Sequence, residues 1–443
     1  MVLGDAKTTG INPVARKTMG CDFPTRFGLR NTMTEPPRKR RALTNVGGRI
    51  DTEGDAPDAR LLAEALDVPP STDDDADPSR VHVHGFHTYP ARMHPITAAR
   101  LVRAFVPSGA RVLDPFCGSG TVLVEALIQG RIPFGTDLNP LAVRLARCKS
   151  RPRDGAELEH LVAQAKLCAA SADERRKAKA GASRRFPPED VEIFEPHVLL
   201  ELDSLRAKLE TLRNDPAQPD LMLVLSAILV KLSKKRGDTS TGVGGRRTAP
   251  GFPSRIFVQK TEELARSFAA LRMLLPTPAP KPAFVEQDNA TELKTLPLGN
   301  MAAIITSPPY AATYDYISHH SVRLRWLGLN ASALAHGEIG ARSTYQRIPP
   351  QNAGVAWSRE LGKFLVAAGR FLAKDGPLVL LMADSAVGDV ALRADEIVAS
   401  TARDCGFFPA ARASQIRPHF HGPTMAAFRA RPRAEHAILL RKI

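Results

Sequence analysis

The chain has 443 residues, with 61 Lys+Arg against 46 Asp+Glu and a formal net charge of +15. At 43% hydrophobic and 24% charged residues it holds apolar material for a large core and for two folded units, which excludes a mainly disordered or collagen-like chain. The surplus positive charge attracts polyanions, so nucleic acid is the first partner to consider, ahead of an acidic membrane surface or acidic small substrates.

Residues 1–80 are rich in Pro, Gly, Thr and charge, with a basic cluster at Arg38, Lys39, Arg40 and Arg41 and an acidic one at Asp73, Asp74, Asp75 and Asp77. Such a segment buries too little surface to offset its ordering entropy and reads as a disordered tail. Its start, MVLGDAKTTGINP, lacks the apolar run of a secretory signal. The longest greasy stretch, Leu221 to Val230, is far too short to cross ~30 Å of hydrocarbon. Cys21, Cys117, Cys148, Cys168 and Cys405 are scattered, without a CxxC pair or zinc-type His spacing. The expectation is a soluble, cytoplasmic protein in a reducing compartment, with no membrane and no metal centre.

From 81 to 150 the pattern alternates. A helical stretch ITAARLVRAFV leads to the apolar run RVLDPF, a Gly-rich turn, the helical TVLVEALIQG, a second apolar run RIPFGTDLN and a helix opening at Pro140. Strands alternating with helices need a parallel sheet covered on both faces, and ligands then bind beyond the carboxyl ends of the strands. Between 151 and 280 the alternation gives way to long segments with helical apolar spacing, which read as a helical insertion. That insertion is broken by KKRGDTSTGVGGRRTAPGFP, too long for an ordinary connection. From 281 to 443 alternation resumes with AFVEQDNATEL, AAIITSPPY, the helix WSRELGKFLVAAGRFL, the apolar GPLVLLMADS, the helix ALRADEIVASTARDCG and strands near 407–416 and 434–443. The expected fold is a doubly wound, Rossmann-like α/β sheet of about seven strands with a helical insertion.

Two motifs carry chemistry. In DPFCGSGT, Asp114 to Thr121, the glycines permit a tight turn and a close ligand approach, and amides at the following helix start favour a carboxylate-bearing group. Asp114 closes the first strand and Asp137 the second, ~20 residues on, where a carboxylate can take both hydroxyls of a ribose. The GxGxxG spacing of dinucleotide folds and the lysine of a P-loop are missing, which argues against NAD and against ATP hydrolysis. In SPPY, Ser307 to Tyr310, consecutive prolines fix φ and remove two amide donors, so the Pro308 carbonyl is free to act as a rigid acceptor. Ser307 adds an oxygen and Tyr310 an aromatic face for a planar base.

With these two motifs the sequence resembles the S-adenosylmethionine-dependent amino methyltransferases acting on nucleic acid, most closely the DNA methyltransferases that modify N4 of cytosine or N6 of adenine. DPFCGSGT is similar to the family's motif I, GTDLNP to motif II, QDNA to motif III, TSPPY to motif IV and HTYPARMHP to motif X. The resemblance implies that Asp114, Pro115, Phe116, Cys117, Gly118, Ser119, Gly120 and Thr121 cradle S-adenosylmethionine. It also implies that Asp137 and Leu138 hold its ribose, that Asp288 reaches its adenine amino group and that Tyr89 and Pro90 close over its methionine end. Asn289 reads equally as an adenine contact and as a turn residue. In the implied mechanism the exocyclic amino group gives hydrogen bonds to Ser307 Oγ and the Pro308 carbonyl. Its lone pair is thereby aimed at the sulfonium methyl, at a corner made rigid by Pro308 and Pro309. A base flipped from the duplex stacks on Tyr310, and no cysteine nucleophile is needed.

The resemblance implies a DNA methyltransferase, with cytosine N4 preferred because Ser opens the Pro-Pro motif. The alternatives are an RNA guanine-N2 methyltransferase and a non-catalytic nucleic-acid-binding protein. DNA, with RNA as the alternative, is the expected partner, a cognate restriction nuclease a further one, and the nucleoid the expected location. The family places target recognition after motif III or after the last strand, whereas here the long insertion falls between motifs II and III. Lys231, Lys234, Lys235, Arg236, Arg246 and Arg247 around its glycines read either as a DNA-contacting loop or as a solvated surface. Tyr314, Tyr316, His319, His320, Arg323, Arg325 and Trp326 read as a lip over the base or as a helix start packed on the core. Arg417, His419 and His421 are further candidates to line the cleft.

Overall fold

The computed structural model describes residues 47–69, 77–234, 248–297, 299–419 and 422–443. The clusters at 38–41 and 73–75, Lys235, Arg236, Arg246, Arg247, Cys21 and His421 lie outside them.

The first elements correct the expected tail. Strand β1 (Ile50–Gly54) and helix α1 (Ala56–Leu66) fall inside the segment read as disordered. Asp55 caps α1 by accepting from the Asp58 amide at 3.1 Å, and Pro57 suits its first turn. The helix buries Ala59, Leu62, Ala65 and Leu66, an i, i+3, i+6, i+7 stripe, against the sheet. Leu62 is fully enclosed. Leu62→Ala is expected to lower the unfolding free energy by ~2–5 kcal/mol, read from denaturant midpoints; an unchanged midpoint would mean that α1 is not docked.

The cofactor-type half follows as α2 (Pro95–Phe105), β2 (Arg111–Asp114), α3 (Thr121–Ile128), β3 (Ile132–Asp137) and α4 (Pro140–Lys149). Five helices then interrupt the alternation: α5 (Gly155–Lys177), α6 (Pro188–Ile193), α7 (Pro196–Thr211), α8 (Gln218–Leu232) and α9 (Phe252–Arg272). The helical apolar spacing from 190 to 213 is divided between α6 and α7 because Pro196 can start a helix but not continue one. Alternation resumes with β4 (Phe284–Gln287), β5 (Ala303–Thr306), α10 (Tyr316–Trp326), α11 (Ser332–Gly337), α12 (Arg342–Tyr345) and α13 (Ala353–Gly369). The chain ends in β6 (Pro377–Ala383), the hairpin β7 (Ser385–Val387) and β8 (Val390–Leu392), α14 (Ala394–Asp404), β9 (Phe407–Ile416) and β10 (Ala434–Lys442).

The main sheet has eight strands in the order β1-β9-β10-β6-β5-β2-β3-β4, one more than the seven expected because β1 adds to an edge. Strands β4, β3, β2, β5 and β6 are parallel, whereas β10, β9 and β1 pair antiparallel. Side-chain alternation divides the strands between two cores. Leu113, Ile304, Leu378, Leu380 and Met382 pack with α13 and α14 on one face, and Val112, Ile305, Val379 and Leu381 pack with α1, α2 and α3 on the other. A further core lies within the insertion and takes in Val322, Leu324 and Trp326 of α10. Chain order reverses between β3 and β5 on either side of β2, so the carboxyl ends of β2, β3, β4 and β5 converge on one crevice.

Candidate active site

That crevice is formed by chain turns leaving the four parallel strands. Asp114 ends β2, and its buried carboxylate accepts from Thr306 Oγ1 of β5 at 2.6 Å and from the Phe116 amide at 3.2 Å. Asp137 ends β3; it accepts from the Gly118 amide at 2.9 Å through Oδ2 and from the Asn139 amide at 2.8 Å through Oδ1. The glycine loop is therefore pinned across two strands. Gly118 and Gly120 sit at φ 50° and 85°, and a Cβ on Gly120 would come within 3.0 Å of the Ala146 backbone.

The crevice opens as two adjoining lobes. The larger, about 610 Å³, is lined among others by Gly118, Asp137, Leu138, Asn289, Ser307 and Pro309. The smaller, about 320 Å³, reaches Asp114, Cys117, Ser119 and Thr121. Tyr89, Ala91, Phe116, Gly118 and Ser307 border both. Ala91 is held at φ 52°, a conformation that costs a non-glycine residue energy and clusters at functional sites. Tyr89 stacks on His320 at 5.0 Å, and its hydroxyl accepts from Asn139 Nδ2 at 3.3 Å.

Several expected residues occupy other positions. Asp288 does not present its carboxylate to the crevice: Oδ1 accepts from the Asn289 amide at 2.7 Å, and Oδ2 accepts from the Thr295 amide and hydroxyl at 2.7 and 2.8 Å. Asn289 serves both readings, since its Oδ1 caps the turn by accepting from Thr291 while the residue lines the larger lobe. Pro308 is buried, and the hydroxyl of half-buried Tyr310 is hydrogen-bonded to that of Ser307; the tyrosines that border the crevice are Tyr89 and Tyr316. Arg323 and Trp326 are buried; Arg323 donates to Thr88 Oγ1 at 2.8 Å and Arg325 pairs with Asp190 at 2.5 Å. That end of α10 is thus tied to the insertion rather than serving as a lip. Arg417, just past β9, pairs with Glu435 of β10 at 2.8 Å, and His419 bonds Thr424 Oγ1 in the connection between β9 and β10. Lys234 lies 3.6 Å from Glu195.

Sequence reasoning missed Asn139 within GTDLNP, and Leu334, Glu338 and Ile339 beside the larger lobe. The only sequence signal for the last three is their position shortly after SPPY. Two clusters with metal-ligand atom types occur among the described residues, His82, His84 and Glu125, and Asp384, Asp395 and His436. The second is neutralised by Arg393, Arg412 and Arg431. In the first, His84 Nε2 bonds Glu125 Oε1 at 2.8 Å, beside the positive groups of Lys149 and Arg92.

Burial pushes the Asp114 carboxyl up to about 7 and that of Asp137 up to about 6. A folded carboxyl raised from 3.8 to about 7 holds its proton where the unfolded chain has lost it. Its stabilising contribution is complete below 3.8 and disappears as pH rises through about 7. Asp114→Asn is expected to flatten the fall in urea midpoint between pH 4 and 7.5; an equally steep fall in the variant would assign the dependence elsewhere.

The residues present fit S-adenosylmethionine. Ser119 Oγ is buried in the smaller lobe without a hydrogen-bond partner among the described residues, at the start of α3, where a ligand carboxylate is favoured. Asp137 offers acceptors in the larger lobe beside the flat walls of Phe116 and Tyr316.

Residues 67–147 match the family model described as DNA methylase. Over this stretch the chain is similar to the DNA methylases. It is 38% identical over 82 residues to the type II methyltransferase M.MvaI of Kocuria varians, covering 18% of each protein. It is 31% identical over 81 residues to M.MjaII of Methanocaldococcus jannaschii, covering 18% of this chain and 15% of that protein. The match thus spans less than a fifth of either relative. Among solved structures, the rRNA methyltransferase aviRa of Streptomyces viridochromogenes aligns over 84% of this chain and 94% of its own, at 12% identity and TM-score 0.31. The methylase stretch runs from the end of α1 through most of α4 and contains Asp114, Gly118 and Asp137, whereas Ser307 to Tyr310 fall outside it. No helix among the described residues is long and apolar enough to cross a membrane.

Proposed function

We propose that the protein transfers a methyl group from S-adenosylmethionine to an exocyclic amino group of a base in DNA, with cytosine N4 preferred over adenine N6. The observation that carries this reading is that Ser307 and Pro309 line the same lobe as Asp137 and Gly118. When bound, S-adenosylmethionine supplies an electrophilic methyl carbon on sulfur. Asp137 would hold its ribose, and Ser119 with Thr121 its amino-acid end, since they line the larger and the smaller lobe respectively. Ser307 Oγ shares a hydrogen bond with the Tyr310 hydroxyl and has lone pairs to accept from the base amino group, together with the Pro308 carbonyl. Both hydrogen bonds withdraw the nitrogen lone pair from the ring and direct it along the transfer line. Rate enhancement then comes from positioning and fixed dipoles. Phe116 and Tyr316 offer the apolar walls that a flipped base requires.

The test is incubation of the full chain with S-adenosylmethionine labelled in the methyl group and either duplex DNA or RNA, followed by mass analysis of nucleosides. N4-methyldeoxycytidine is the expected product. N6-methyldeoxyadenosine would move the target base, and label confined to RNA would overturn the reading.

A further inference from the structure

A cofactor nucleoside has two ribose hydroxyls and an adenine amino group to satisfy; each oxygen of Asp137 already accepts one backbone amide, and Asp288, which is not among the residues lining either lobe, bonds its own loop through both oxygens. A carboxylate outside every recognised motif stands in the crevice instead. Glu338, just past α11, borders the larger lobe together with Asp137, Leu138 and Tyr316. Its Oε1 accepts from the Tyr316 amide at 2.9 Å, which fixes the side chain at the start of α10 and leaves Oε2 for another donor. The preceding residue rests on the nucleoside side of the lobe: a Cβ on Gly337 would come within 2.7 Å of Leu138 Cδ2 and 3.4 Å of Asn289 Nδ2. The segment is anchored to the turn after SPPY, since the Ala312 amide donates to the Gly340 carbonyl at 3.0 Å and the Arg342 amide to the Tyr314 carbonyl at 3.1 Å.

Resting on the methyltransferase reading above, we propose that Glu338 is the second carboxylate of the ribose subsite. It faces Asp137, so that the two together accept the 2′ and 3′ hydroxyls and hold the Gly337–Ile339 segment over the nucleoside. Two partly enclosed carboxyls facing one space, with no cation among the residues lining the lobe, call for hydroxyl donors. Burial, with Asp315 and Asp137 nearby, pushes the Glu338 carboxyl up to about 7, in keeping with a group that gains when a neutral donor arrives.

The test is calorimetric titration of the full chain with S-adenosylhomocysteine and with its 2′,3′-dideoxyribose analogue. Glu338→Gln keeps an oxygen for the Tyr316 amide, so α10 retains its start. The variant is expected to weaken S-adenosylhomocysteine about tenfold while binding the dideoxy analogue as the unaltered chain does. Equal loss for both ligands, or no loss for either, would overturn the role of Glu338, and in the presence of an Asp137→Ala defect it would leave the cofactor site standing. If the unaltered chain bound neither ligand, or Asp137→Ala bound S-adenosylhomocysteine normally, the site itself would be misassigned and the proposal would fall with it.

Discussion

Ser307→Ala is expected to lower kcat for methyl transfer about 100-fold while leaving S-adenosylhomocysteine affinity within about twofold. The residue borders the junction of both lobes, and its oxygen is one of two acceptors proposed for the amino protons. Removing it deprives the nitrogen of half the interaction that redirects its lone pair, an effect felt in the transition state more than in the ground state. Tyr310→Phe is the informative companion. If Tyr310 serves to orient Ser307, it produces a smaller loss, and the double variant is no slower than Ser307→Ala alone. Additive losses would show that the tyrosine acts on the base independently. A Ser307→Ala enzyme that kept full kcat would remove the serine from the chemistry altogether.

Asp137→Ala is expected to have the largest effect on cofactor affinity, about 100-fold or more. The substitution removes the proposed ribose acceptor and also strands the Gly118 and Asn139 amides that the carboxylate now satisfies. Released from that tether, the glycine loop loses its fixed relation to β3, and Asn139 loses one support for its bond to Tyr89. Calorimetry should report weaker binding with a melting temperature lowered only modestly, since the hydrophobic layers beneath are unaltered. Affinity preserved within threefold would place the ribose elsewhere.

The parallel half of the fold was legible because its strands are apolar runs closed by Asp114, Asp137 and SPPY, and its helices carry clear 3.6-residue spacing. The start of the fold was not. IDTEG is a five-residue edge strand, mostly exposed, whose acidic residues hide it within a polar neighbourhood. The α1 signal was present in Asp55, Pro57 and the Leu62 and Leu66 spacing, but composition averaged over 80 residues outweighed it. For the site, residue type and order located Asp114, Gly118 and Asp137 but not side-chain direction. Asp288 reads as a free carboxylate until Thr295, seven residues on, is seen to consume it. Arg323 and Arg325 read as a basic lip because their partners, Thr88 and Asp190, come from remote segments that no local pattern brings together. Glu338 was invisible for the same reason, being an isolated acid in a short connection.

The pairing of β1 with β9 joins Ile50 to Gln415 and Gly54 to Ala411. A growing polypeptide leaving the ribosome therefore exposes the apolar stripe of α1 long before its final edge partner has been synthesised. Contacts this distant in sequence make late assembly slow. That edge of the sheet closes only after β9 has emerged, so a premature stop before residue 407 would leave β1, the first strand among the described residues, without its neighbour.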